Sequence, residues 1–411
     1  MARGGIWHRA GRIARGYART SMHDSHGPRL GASLVAIAVG VLLLAGIVLM
    51  PDLTPAGAVP VVGQQNERGR LVEELAPDQT GLPRFSVEMM DGPEAGGVVE
   101  AVVQDASGAA LPGSGTRAPY AIGDEVVVTR FTGAAGGFAV ISEPWRIPLL
   151  SIVAGIFAAV VVVVGGLRGA RSLVALALTL AVVVKVVVPL LLRGYDPILL
   201  AVGIGSAVTV ATLLLTEGPG RVTLSASLGT MAALVLTAVL AAAFTAAAEF
   251  SAIQGSEEIA FLIPLIGERV DLQGILLAAT VFGALGVLDD VTVTQAATVE
   301  QLHRAEPMAT RAGVIGRAMR IGRSHIAATV NTLVLAYLGA GLPLLLLFAL
   351  SAQAPLTVLN GEIVAVEVIR ALVGSIGIVA AVPLTTLVAA LLIVPGSPST
   401  AVGAPGDAAS A

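Results

Sequence analysis

Residues 148–166 read PLLSIVAGIFAAVVVVVGG and contain no charged side chain. A helix needs about 20 apolar residues to cross the roughly 30 Å hydrocarbon core of a bilayer, and this stretch has that length and composition. Seven further runs of the same kind lie at 31–50, 172–192, 197–216, 225–247, 273–289, 326–349 and 369–394. The sequence therefore predicts a mainly α fold, a polytopic bundle of about eight transmembrane helices.

Composition supports the same class and excludes several functions. Of the 411 residues 55% are hydrophobic and 13% are charged, whereas soluble domains average about 25% charged residues. The net charge of −4 gives no basis for nucleic-acid binding. The chain has no cysteine, which excludes disulfides and thiolate metal sites. The predicted helices contain no His-x-x-x-His pair, so no metal, cofactor or enzymatic activity is predicted.

Arginines predict the orientation of the helices. They are concentrated in the N-terminal tail, in the loops after the second and fourth spans, and in the segment after the sixth. The positive-inside rule places both termini in the cytoplasm. The predicted domains are a basic cytoplasmic tail (1–30), the first helix (31–50), an extracytoplasmic region (51–147), a seven-helix membrane domain (148–394) and a disordered cytoplasmic tail (395–411). The first helix is either an uncleaved anchor or a signal peptide with a small-residue site at Ala56-Gly57-Ala58.

The extracytoplasmic region is predicted to hold a small β domain. Residues 51–80 are rich in Pro, Gly, Gln and acidic residues, which is typical of a linker. Strand-like runs follow at 85–90, 97–104, 125–131 and 137–142, separated by Gly and Asp. Several short strands in under 80 residues favour an OB-like barrel. The barrel is either a rigid spacer or a ligand-binding domain.

Five segments together resemble one family. They read GDEVVV (123–128), GGLRG (165–169), GALGVLDDVTVTQ (283–295), IAATVNTLVLAY (326–337), and GSIG (374–377) followed by PLTT (383–386). From about residue 97 to 394 their order resembles the YibE/F family of bacterial membrane proteins. The resemblance implies a multi-pass protein of the bacterial cell membrane with this order of spans, and it implies no particular activity.

Polar residues near the predicted end of the sixth span form the candidate site. Asp289 and Asp290 end the apolar run, and Thr294 lies one turn beyond Asp290 on the same helical face. With Gln295 they offer oxygen atoms to a cation or a proton. The alternative is that Asp290 caps a new helix over 291–302.

Three further intramembrane residues belong to the same hypothesis. Asn331 and Thr332 lie one to two turns inside the seventh span. They either join the polar cluster or bridge helices by hydrogen bonds. Lys185 is an intramembrane charge inside the third span, and it either pairs with an acidic residue or extends its ammonium group to the outer interface.

The basic segment 303–325 is interpreted as an amphipathic helix on the inner leaflet, with anionic lipid as its partner. Taken together, the polar residues favour a permease or channel for a small solute or ion. The alternative is a non-transporting membrane scaffold or sensor whose external domain binds a ligand or partner.

Overall fold

A computed structural model describes residues 27–51, 64–77, 82–103, 120–131, 138–251, 270–350 and 353–395. The chain divides into two compact units, Ala56–Val161 and a helical unit formed by Met1–Pro55 with Val162–Ala411. The predicted tails 1–30 and 395–411 lie almost entirely outside the described residues, as does the candidate cleavage site at Ala56.

The smaller unit contains a closed five-stranded β-barrel, which confirms the barrel predicted from the sequence. Its strands follow the order β1-β2-β3-β5-β4, with β1 also paired to β4. Only β3 and β5 run parallel among these neighbours. The strands are β1 (Gln64–Leu75), β2 (Arg84–Met89), β3 (Val98–Val103), β4 (Glu125–Phe131) and β5 (Phe138–Pro144).

The barrel core follows from alternation along the strands. Phe85, Val87 and Met89 of β2 point inward and are buried, while the residues between them are less so. Val126 and Val128 of β4 do the same. Burial of a side chain such as Phe85 contributes about 1.5–3 kcal/mol to folding in water.

Strand β1 lies where the sequence predicted a linker, so that prediction was wrong for Gln64–Leu75. Its buried, inward positions are Glu67, Gly69 and Leu71, of which only Leu71 is a large apolar residue. A Cβ on Gly69 would lie 2.3 Å from Cγ1 of Val87, so the close approach of β1 and β2 requires glycine here. The strand is therefore formed by pairing with β2 and β4 and has little hydrophobic alternation of its own.

The helices account for most of the rest of the described chain. They are α1 (Gly27–Val48), α2 (Ile147–Val182), α3 (Val188–Leu192), α4 (Pro197–Thr216), α5 (Arg221–Ala247), α6 (Leu272–Ala305), α7 (Arg311–Ala340), α8 (Leu342–Leu350), α9 (Pro355–Asn360) and α10 (Glu362–Ile393). A single π-helical turn, Val183–Val187, joins α2 to α3.

Six of the described helical segments are long and apolar enough to cross a membrane, or seven if the bent pair α7–α8 is one span. The sequence predicted eight. The difference arises at Ile147–Leu192, where two predicted spans fall in one segment of 46 residues. Within α2 the helix is interrupted at Gly166, whose φ of 58° and ψ of −139° are non-helical. The count of eight stays a prediction.

Helix α6 is continuous through the predicted end of the sixth span. No new helix begins at Val291, because α6 runs on to Ala305, so the capping alternative for Asp290 was wrong. Two other aspartates, Asp196 and Asp271, do cap helices: their carboxylates accept from the backbone N–H of Leu199 and Gly274 at the starts of α4 and α6. The polar half of α6 remains helical because it packs against its neighbours, with Val299 buried together with Val314 of α7 and Ala389 of α10.

The basic segment 303–325 is not one helix, which corrects the predicted amphipathic helix. Helix α6 ends at Ala305 and α7 begins at Arg311, with the Thr310 hydroxyl accepting from the Gly313 N–H at the start of α7. The arginines of α7 therefore stand on the first turns of a 30-residue helix.

Helices α5, α6 and α10 form the centre of the helical unit. Leu234, Leu288 and Ile378, one from each helix, are fully buried in a shared core. The contact of α5 with α10 is close because glycine faces threonine. A Cβ on Gly229 would lie 2.1 Å from Oγ1 of Thr385. Small residues that let helix backbones approach are a common basis of packing between membrane helices.

Candidate functional site

The candidate site is a polar cluster among α4, α5 and α6, which we call the Asp289 cluster. Its members are Thr209 of α4, Thr230 of α5, and Asp289 and Thr292 of α6. The three threonines are fully buried, and Asp289 is partly buried. The aspartate is therefore the member that remains partly accessible.

Hydrogen bonds connect the whole cluster. The Thr209 hydroxyl donates to Oδ1 of Asp289 at 3.0 Å. The Thr230 and Thr292 hydroxyls lie 2.7 Å apart, and the Thr292 hydroxyl donates to the main-chain oxygen of Asp289 at 3.2 Å. Thr230 is a further hydrogen-bond partner of the Asp289 carboxyl. The Asp289 carboxyl is thus hydrogen-bonded by hydroxyl groups from α4 and α5, and the Thr292 hydroxyl of α6 joins the network through Thr230.

The cluster lies near the middle of the bundle and not at its edge. Toward one end of the bundle, Leu277 of α6 packs with Val373 of α10 and Ile198 of α4. Toward the other end, Val299 of α6 packs with Leu213 of α4. At 1.5 Å per residue, Asp289 is about 18 Å from Leu277 and about 15 Å from Val299 along α6. Asp289 is therefore well inside the helical layer.

The structure separates the two aspartates that the sequence placed together. Consecutive helical residues point about 100° apart, and Asp289 faces the threonines while Asp290 and Thr294 are exposed on another face of α6. Gln295 is buried on a third face. The predicted constellation of Asp290, Thr294 and Gln295 is therefore not brought together around one point.

Gln295 forms its own polar contact between helices. Its side-chain N–H groups donate to the carbonyl of Ala318 on α7 at 3.1 Å and to Oγ1 of Thr386 on α10 at 2.7 Å. A Cβ on Gly322 would lie 3.0 Å from Oε1 of Gln295. This arrangement bridges three helices and is sufficient to explain a buried amide structurally.

Asn331 and Thr332 are not part of the Asp289 cluster. Both side chains are exposed on α7, and the Thr332 hydroxyl donates back to the carbonyl of Ala328 in its own helix. Lys185 is partly buried in the π-helical turn, which packs against α4. A π-helical turn inside a helix is often found at a functional position, but Lys185 is not a hydrogen-bonding member of the Asp289 cluster in the part of the chain that the structure describes.

Among the described residues of the barrel, Glu67 has a buried carboxyl group. Its side chain is 6% exposed, and Oε2 lies 3.8 Å from Nη1 of Arg130. A Cβ on Gly92 would lie 2.4 Å from Oε1 of Glu67, so the β2–β3 connection lies directly over the carboxyl group. Oε2 of Glu67 is buried and accepts no hydrogen bond within the described chain, so its compensating contact is the charge of Arg130.

A second ion pair fastens β1 to β4 on the outside of the barrel. The Arg68 guanidinium donates to Oε2 of Glu125 from Nη2 at 2.6 Å and from Nε at 3.1 Å. Arg68 also lies over the ring of Trp145, with 5.2 Å from its Cζ to the ring centroid. The hydrogen bonds from Arg68, supported by Arg70, hold the pKa of Glu125 below its usual 4.5.

Sequence reasoning missed the three threonines of the cluster. Thr209 lies 80 residues from Asp289 in the chain, so their contact has no local signal. A weak signal existed: threonine hydroxyls in membrane helices often form hydrogen bonds between helices, and Thr209 and Thr230 occur within predicted spans, although other serines and threonines share those spans.

A family model described as YibE/F-like protein matches residues 153–395, more than half of the chain. The chain belongs to this family. The YibE/F-like region includes the whole Asp289 cluster and begins after the barrel, so the segment at 123–128 lies outside the match. No curated protein and no solved structure matches the chain. Family and apolar helices together indicate a YibE/F-like membrane protein.

Proposed function

We propose that this YibE/F-like protein is a permease or channel that moves a small solute or ion across the bacterial cell membrane. The observation that carries the proposal is the Asp289 carboxyl group, held by hydroxyl groups from neighbouring helices at mid-depth in the bundle. The proposal assigns a transport role to the chain and no catalytic one.

The free-energy cost of placing Asp289 inside a membrane helix supports a functional role for this residue. An aspartate at the centre of a membrane helix costs about 2.5–3.5 kcal/mol on insertion scales. A hydrogen bond from Thr209 to the carboxylate recovers about 1.5–3 kcal/mol of this. A neutral side chain would pack between the helices without that cost, and ionisable residues inside the membrane are functional candidates for this reason.

The proposed topology has eight spans with both termini in the cytoplasm and the barrel outside. A helical segment of 46 residues is about 69 Å long, more than twice a 30 Å hydrocarbon core. The break at Gly166 and the nearby Arg168 and Arg171 support a turn at the cytoplasmic surface within this segment. With α7 and α8 counted as one bent span, the total is then eight.

The proposed lipid partner involves the first turns of α7. Arg317 pairs with Glu306, and Arg311 donates to the carbonyl of Val394. Arg320 and Arg323 are exposed. We therefore expect anionic lipid headgroups to contact Arg320 and Arg323 more than the other arginines of this segment.

Reconstitution of the purified chain into liposomes tests the transport proposal. Flux of common cations and anions is measured for the wild type, for Asp289→Asn and for Glu300→Gln, a carboxylate three turns further along α6 that pairs with Arg304. We expect one class of ion to move, Asp289→Asn to abolish its flux, and Glu300→Gln to leave it intact.

Folded wild-type protein that moves none of the ions tested would favour the scaffold or sensor instead.

A further inference from the structure

We propose that the Asp289 cluster is a binding site for a monovalent metal cation, with Na⁺ as the expected occupant. This inference rests on the proposed function and names the class of ion that the site would take. It uses Asp289, Thr209, Thr230 and Thr292 and no other part of the chain.

The cluster supplies the kind of ligands that a hard cation needs. A threonine hydroxyl has two lone pairs besides its proton, so three hydroxyls and one carboxylate offer several oxygen atoms. Hard cations such as Na⁺ and Ca²⁺ bind carboxylate, hydroxyl and carbonyl oxygens. The Thr230 and Thr292 oxygens are already 2.7 Å apart, and Thr209 lies 3.0 Å from the carboxylate.

When a cation enters, a threonine hydroxyl can donate its hydrogen bond to a main-chain carbonyl of its own helix instead. Elsewhere in the same bundle, threonines donate to the carbonyl four residues earlier: Thr237 to Ala233 and Thr386 to Val382. Thr209 is directed at Asp289 instead. Rotation of the Thr209 proton toward its own helix would turn a lone pair toward the carboxylate side, where a cation would lie.

Charge selects a monovalent ion. Hydrogen bonds to the Asp289 carboxyl come from threonine hydroxyls, and across the described residues no basic side chain lies within ion-pair distance of it. One carboxylate and one Na⁺ form a neutral pair, whereas a divalent ion would leave an uncompensated charge inside the membrane. Over the same residues, no three or more His, Cys, Asp or Glu side chains lie close enough together to form a metal site of that composition.

Thermal unfolding of the full-length chain in detergent tests this inference. An ion that binds only the folded state raises the unfolding midpoint with its concentration. We expect the midpoint to rise and saturate with NaCl relative to choline chloride at equal ionic strength. Asp289→Asn and Thr230→Val should abolish the rise, while Glu300→Gln and Thr212→Val should keep it. Thr212 is the matched threonine, since its hydroxyl donates to the Thr209 carbonyl outside the cluster.

Thr230→Val preserves the shape of the side chain, so it decides the question if Asp289→Asn does not fold. An equal response to Na⁺ and choline, or an Na⁺ response that survives in Thr230→Val, overturns the inference. Asp289-dependent flux without any effect of Na⁺ on the midpoint overturns Na⁺ as the occupant but not transport. Saturable Na⁺ stabilisation without flux supports the site and contradicts the proposed function.

Discussion

At the scale of single residues, the main finding is that two adjacent aspartates have different surroundings. Asp289 accepts a hydrogen bond from Thr209, whereas Asp290 is exposed on another face of α6. The sequence favoured Asp290, because Thr294 follows it by one turn and because a helix end was expected there. Because α6 is continuous, that reason no longer holds. The hydrogen bonds then favour Asp289 as the residue of the candidate site.

Replacing each aspartate by asparagine separates the two assignments. Asparagine preserves size and hydrogen-bonding capacity but not charge, so Asp289→Asn should abolish transport while the protein still accumulates and folds. Asp290→Asn should retain most of the wild-type rate. Flux in proteoliposomes measures both, and a greater loss in Asp290→Asn would restore the assignment made from sequence.

The lowered pKa of Glu125 leads to a prediction of how barrel stability changes at low pH. Its folded-state pKa lies below the usual 4.5 because Arg68 donates to its carboxylate. The ion pair therefore stabilises the folded barrel above pH 4.5, and this contribution is lost as the pH falls through 4.5 toward the folded-state pKa. Barrel amides should exchange more slowly in the wild type than in Glu125→Gln at neutral pH.

That difference in exchange should shrink as the pH falls below 4.5, as measured by hydrogen-exchange mass spectrometry of the full chain at matched pH. A difference that stays constant across the range would mean that the ion pair contributes nothing to barrel stability.

At the scale of secondary-structure elements, a helix or strand could be predicted where its own sequence has a recognisable pattern. The runs that became β2 to β5 are short and rich in apolar residues, with Gly and Asp between them, and the apolar spans have length and hydropathy. Strand β1 has neither signal, because Glu67 and Gly69 occupy its inward positions. The length of α6 could not be predicted either, since its polar half is helical through packing on neighbouring helices.

The site was only half predictable for a related reason. A charged pair in an apolar span marks a candidate from sequence alone, and Asp289 was found in that way. Its partners come from α4 and α5, and only the packing of three helices shows that Thr209 and Thr230 meet it.

Close packing between α5 and α10 gives a prediction about stability. A Cβ at position 229 would lie 2.1 Å from Oγ1 and 3.1 Å from Cα of Thr385, and a backbone atom cannot move aside alone. Gly229→Ala should therefore destabilise the bundle by about 1–3 kcal/mol. Gly203→Ala on α4 is the matched control, because a Cβ there meets nothing within 4 Å. Thermal unfolding in detergent measures both, and equal midpoints would show that the two helices are further apart than described.

At the scale of the whole molecule, the absence of native cysteine makes topology directly measurable. Single cysteines at Glu88, exposed on the barrel, and at Arg168, exposed beside the Gly166 break, can be labelled with a membrane-impermeant maleimide. We expect Glu88→Cys to react in intact cells and Arg168→Cys to react only after permeabilisation. Labelling of Arg168→Cys from outside would contradict two spans in the segment Ile147–Leu192.

The glycine–threonine contacts determine which helices can move relative to one another. Gly229 meets Thr385, and Gly377 meets Thr237 about two helical turns away along the same pair of helices. Two such contacts oppose both sliding and rotation, so we expect α5 and α10 to stay together as one frame. If Asp289 is to face first one side of the membrane and then the other, the displacement has to occur outside that frame. The 3.0 Å hydrogen bond between Thr209 of α4 and Asp289 of α6 is then the contact that we expect to break.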